Sequence, residues 1–141
     1  LNLINNINLE DQFFWQKVKD EKIDGFILTT EATNEPTFRI AHKPILLRTT
    51  SMDVMRMLPY TTQKYKEIIE EVYGISFFNP PIKYLSSVPD FFFQKTFENR
   101  SKAEWNKIFQ QYNISSVIVP SGWKLNLKLK FSNKNFSYYI F

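Results

Sequence analysis

Three groups of residues in this 141-residue chain could do chemistry. Thr29, Thr30 and Glu31 follow the apolar run Phe26-Ile27-Leu28. Arg48, Thr49, Thr50 and Asp53 follow a second run, Ile45-Leu46-Leu47. Ser121 and Gly122 follow a third, Val117-Ile118-Val119. If the three runs are parallel strands, these residues lie just beyond their carboxyl ends, where open α/β sheets hold their ligands. An arginine among several hydroxyls suits a phosphate or a carboxylate. Loop ends are polar in every such sheet, so the grouping alone does not single out a ligand.

Other chemistries are excluded by composition. The chain has no cysteine and one histidine, His42. Disulfides, thiol nucleophiles and multi-histidine metal sites therefore have no residues to use. Its three glycines, Gly25, Gly74 and Gly122, cannot build a glycine-rich phosphate loop. No cofactor or metal is implied. Glu31 and Glu35, or Glu70 and Glu71, carry no sign of a shared buried acid pair. Eighteen Lys and Arg against fourteen Asp and Glu leave a net charge of +4. The lysines stand singly, so no nucleic-acid tail is signalled. Tyr138-Tyr139 and the hairpin lysines make only a faint aromatic-basic pattern. The sequons at Asn99, Asn113 and Asn135 are expected by chance in an Asn- and Ser-rich chain.

The elements that would position these residues can be read in order. Asn8 caps a helix over about 9–22, with Leu9, Phe13, Phe14 and Val18 on one face and Trp15 at its margin. Gly25 to Thr30 reads as a first strand. A turn at 33–36 and a short helix from Pro36 then lead to a strand at 45–48. That crossover length suits a parallel βαβ unit. Residues 62–73 form the clearest amphipathic helix, closed by Gly74. Ser51 to Leu58 is ambiguous, and 75–98 is hard to read, with Phe91, Phe92, Phe93 and Phe97 expected to cap the core. Ser101 and Glu104 form a capping box for a helix bearing Trp105, Ile108, Phe109 and Tyr112. A third strand follows at 115–120. Residues 124–131 alternate strictly, and 136–141 returns as a last strand. The expectation is a three-layer α/β fold: about five strands in a mostly parallel, Rossmann-like sheet, helices on both faces, and a C-terminal antiparallel hairpin.

Taken together, these elements resemble a known kind of domain. The segments are IDGFILTT, FRIAHKPILL, the helix ending VYGI, and YNISSVIVP. Their order is similar to that of the extracytoplasmic domain following the membrane helices in multi-spanning bacterial proteins related to the GT-C glycosyltransferase superfamily. Phe38-Arg39 and Lys43-Pro44 match the middle segment of that pattern, and Tyr112 to Pro120 the last; about residues 9 to 122 are covered. The superfamily's catalytic acids lie in loops between membrane helices, and no such motif occurs here. The resemblance implies a single non-catalytic accessory domain on the extracytoplasmic face, a fragment of a longer membrane protein, as a first residue of Leu1 also suggests. Its partners would be the membrane portion of the same polypeptide and an acceptor or lipid-linked sugar, with Arg39, Arg48 and Trp123 as contact residues. The rival reading is a free-standing module holding a small anion or phosphosugar on Thr30, Glu31, Arg48 and Ser121. A small enzyme using Glu31 or Asp53 as an acid is a third.

Overall fold

The computed structural model describes residues 7–48, 59–79 and 90–141. Its first helix, α1 (Leu9–Asp20), begins where Asn8 Oδ1 accepts from the Asp11 amide at 2.9 Å. Acids in the first turn and lysines in the last complement the helix dipole. The face turned inward is Phe14, Trp15 and Val18. Leu9 and Phe13, expected on it, are 71% and 70% exposed. Trp15, placed at the margin by periodicity, is instead fully buried.

β1 (Phe26–Thr29) is followed at once by α2 (Glu31–Arg39). Thr30 caps this helix, its amide donating to Thr33 Oγ1 at 2.9 Å. The expected turn at 33–36 is thus helix, and Pro36 sits inside it rather than opening it. The helix is capped at Ile40, whose amide donates to Pro36 O, and His42 just beyond takes a left-handed φ of 53°.

After a 3₁₀ turn (Pro59–Thr61) comes α3 (Thr62–Glu67), which widens into a π turn over Ile68–Val72. Gly74 then leaves with φ 72°. Ile68, Ile69, Val72 and Tyr73 are buried. α4 (Asp90–Asn99) buries Phe93 and Phe97 and leaves Phe91 63% exposed. α5 (Lys102–Gln111) carries its capping box: the Ser101 amide donates to Glu104 Oε2 at 2.7 Å. It buries Trp105, Ile108 and Phe109, with Tyr112 just beyond.

β2 (Ile114–Pro120), β3 (Lys128–Ser132) and β4 (Phe136–Ile140) join β1 in one four-stranded sheet, ordered β1-β2-β4-β3. Only β1 and β2 are parallel; β2–β4 and β4–β3 are antiparallel. This corrects the expected five-stranded, mostly parallel, Rossmann-like sheet. Ile45-Leu46-Leu47 does not become a strand. It touches β1 through one parallel bridge, Ile27 to Ile45, with the Ile27 amide donating to Pro44 O at 2.9 Å and the Leu46 amide to Ile27 O at 3.0 Å. Pro44 has no N–H with which to lengthen that ladder. The parallel strand paired with β1 is reached only at Ile114, so the crossover inferred from sequence ends in a single bridge and not in a second strand.

The second correction concerns the hairpin. The register runs Leu129 opposite Tyr139, then Phe131 opposite Tyr138, with an irregularity between Leu129 and Phe131. The extra residue, Lys130, switches the strand's parity. Phe131 therefore turns to the face of Phe14, 5.3 Å between ring centroids, while Leu129 is 48% exposed. Strict alternation had placed both on one face. Leu125 and Leu127 pack on the core from an irregular segment ahead of β3.

Each face of the sheet has its own core. One gathers Leu28, Val117, Val119 and Tyr139 under Val72, Phe97, Trp105 and their neighbours on α3, α4 and α5. The other gathers Ile27, Ile118 and Tyr138 under Phe14, Trp15 and Val18 of α1.

Candidate functional site

The corner where a ligand was expected, beyond β1 and β2, is filled by the chain's own polar groups. Thr29, Thr30, Thr33, Asn34 and Thr37 are all buried there. Thr29 Oγ1 donates to Asn34 Oδ1 at 2.6 Å, and Thr33 Oγ1 to Ile118 O at 3.0 Å, tying α2 to β2. Tyr73 Oη donates to Thr29 O at 2.8 Å. Burial, and then the nearby acids Asp90 and Glu31, hold the Tyr73 phenol far above its usual range.

The mouth of this corner is closed by Asp90. Its carboxylate accepts from Thr30 Oγ1 at 2.9 Å, from the Glu31 amide at 2.8 Å and from the Ala32 amide at 3.2 Å. These amides belong to the first turn of α2, where a helix presents unpaired N–H groups and the positive end of its dipole. Asp90 is thus a capping carboxylate delivered from another helix. Thr30 and Glu31 are brought together, but around an internal anion.

The remaining sequence candidates lie apart. Ser121 Oγ donates to Lys134 O, and its amide to Asn135 O at 2.8 Å, so it fastens the end of β2 to the hairpin turn. Trp123 is 5% exposed and meets Phe97 edge-on at 5.7 Å, while its carbonyl accepts from Tyr139 Oη at 2.6 Å. Expected as a contact residue, it is a core residue. Asp53 lies outside the described residues.

Arg39 and Arg48 do come together, at a second place. Both reach Glu35. Arg48 donates from Nε (3.2 Å) and Nη2 (2.9 Å) to Glu35 Oε1, and Arg39 Nε lies 2.6 Å from Oε2. The Arg48 guanidinium lies over the Phe38 ring, 4.1 Å from its centroid. Hydrogen bonding to Arg48, aided by the charges of both arginines, holds the Glu35 carboxyl below its usual range. Two cations and one anion leave this group net positive. It borders a cleft of about 350 Å³ between α2 and α3, lined by Phe38, Tyr65 and residues 44–48.

Sequence reasoning missed Asp90, Tyr73, Glu35 and Phe38. Glu35 and Arg39 stand at i,i+4 spacing, a pairing signal that surfaces once 31–39 is read as one helix. Nothing local to Asp90 shows that it caps a helix about sixty residues earlier in the chain.

A third polar feature is structural. Arg100 is 8% exposed and donates from Nη2 to the carbonyls of Glu71 (2.9 Å) and Val72, closing the π turn. It stacks on Phe97 and Trp105. Burial draws its guanidinium down to about 10.

Among the described residues, no group of three or more His, Asp or Glu could hold a metal ion. No helix there is long and apolar enough to cross a membrane. No protein-family model matches the chain, and no curated protein or solved structure matches it.

Proposed function

We propose that this chain is a non-catalytic accessory domain of a multi-spanning membrane protein, placed on the extracytoplasmic face. Its role is to shape the access of an acceptor or a lipid-linked sugar to the membrane portion, which in a glycosyltransferase would carry the chemistry. One observation supports the non-catalytic part of the reading. The corner beyond β1 and β2, where an α/β domain would seat a substrate, is closed by Asp90, Tyr73 and the buried threonines. The membrane setting rests on the resemblance in segment order. The test is to sequence the parent gene on both sides of this stretch and fractionate the full-length product. Several apolar stretches of about 20 residues, with the product in the membrane fraction, are expected. A gene without such stretches, whose product stays in solution, would sink the reading.

The rival is a free-standing module for a small anion. The Asp90 carboxylate on the α2 amides favours it to this extent, that the corner binds an anion of its own. A phosphosugar would have to displace it. Titrating Asp90→Ala protein with phosphosugars, and following tryptophan fluorescence, decides the matter. Saturable binding by the variant supports the rival; a flat response removes it.

A further inference from the structure

The cleft beside Arg48 combines two chemistries. The apolar side chains Ile45, Leu46, Leu47 and Tyr65 are part of its lining. Arg48 also lines it, and Arg39 shares its partner Glu35, so two cations there face one anion. We propose that this cleft receives a single-chain anionic amphiphile, its head on Arg48 and its chain along Ile45, Leu46 and Tyr65.

Three points fix that occupant. A guanidinium offers five N–H donors in a planar fork, and the contacts with Glu35 run through Nε and Nη2 of Arg48 and Nε of Arg39. Stacking on Phe38 and pairing with Glu35 already hold Arg48 in one orientation, so little ordering remains for a phosphate or carboxylate head to impose. The size also decides. About 350 Å³ lies at the small end of ligand pockets and suits one short chain. A protein partner would need roughly 800 Å² of surface from each side. A sugar or nucleotide alone would leave the side chains of Ile45, Leu46 and Leu47 unmatched.

The inference deepens the accessory reading, since a domain beside a membrane meets such molecules, but its test needs no membrane. The 141-residue chain is titrated by calorimetry with decyl phosphate below its micelle concentration, beside decanol and inorganic phosphate. Saturable binding of decyl phosphate is expected, with each half-ligand at least about tenfold weaker. Arg48→Gln and Phe38→Ala should each weaken binding by about tenfold while circular dichroism stays unchanged. Phe38 is 45% exposed, so its loss leaves the core intact. No saturable binding, equal binding of decanol, or unchanged affinity in both variants would overturn the proposal. Vesicles of anionic phospholipid supply the source arm. Co-sedimentation lost in Arg48→Gln supports the cleft with a membrane lipid as source; monomer binding without co-sedimentation supports it with a free amphiphile. Failure here leaves the accessory reading to its own fractionation experiment.

Discussion

At the scale of single residues, the most consequential group is the Asp90 carboxylate, because three donors of α2 converge on it. Replacing it with alanine removes a cap rather than a binding site. Asp90→Ala should lower stability by about 1–2 kcal/mol in urea unfolding, and Asp90→Asn by less. Tyr73 makes a second prediction, on pH. Its phenol is raised by burial, as are those of Tyr112, Tyr138 and Tyr139. A group whose folded pKa exceeds its unfolded one stabilises fully below the unfolded value and loses that contribution as pH rises above it. Stability should therefore fall from about pH 10 upward. Arg100, drawn down to about 10, acts the other way, since its unfolded form holds the proton longer. Four tyrosines outweigh one arginine. Tyr73→Phe should cost about 1 kcal/mol at pH 7 through its lost bond to Thr29. It should also unfold less steeply between pH 9 and 11, which denaturant midpoints across that range would show.

At the scale of elements, legibility in the sequence followed how local each signal was. The capping box at Ser101 and Glu104, the stripe from Trp105 to Tyr112, and the exit at Gly74 all depend on neighbours within a few residues, and each is present. What failed depended on distant partners. The run Ile45-Leu46-Leu47 reads like a buried strand, yet on the edge of β1 away from β2 it makes only a single bridge. The alternation at 124–131 hides the bulge at Lys130, because a bulge leaves composition untouched and changes only parity. Helix α2 was obscured by Pro36, which propensity assigns to a first turn. The candidate site was legible only in part: Thr30 with Glu31, and Arg39 with Arg48, are pairs, but in separate places. Two glycines offer a check on element packing. A Cβ on Gly25, at φ 137°, would lie 2.3 Å from Asn113 O, where the chain enters β1 beside β2. One on Gly122, at φ 89°, would meet nothing within 4 Å. Gly25→Ala should cost more than 2 kcal/mol and Gly122→Ala roughly 1 kcal/mol, the latter from backbone conformation alone. Comparable thermal shifts in the two variants would contradict that placement.

At the scale of the whole molecule, the strand order decides what can be removed. β4 is the last strand in sequence and an inner strand in space, paired with β2 on one side and β3 on the other. The hairpin is therefore no appendage to a sheet made earlier. A chain ending at residue 127 loses both strands and leaves Val117, Ile118 and Val119 with an open edge. It should be aggregated or unfolded by gel filtration and circular dichroism; a monomer with native-like helical signal would refute this. The same order has a consequence during synthesis. β1 emerges from the ribosome more than a hundred residues ahead of β4. At about 5–20 residues per second, roughly 5 to 20 s pass before the sheet can close. Through that interval Ile27 and Leu28 have no complete surface to pack on, and the nascent chain is a natural client for a chaperone until Ile140 arrives.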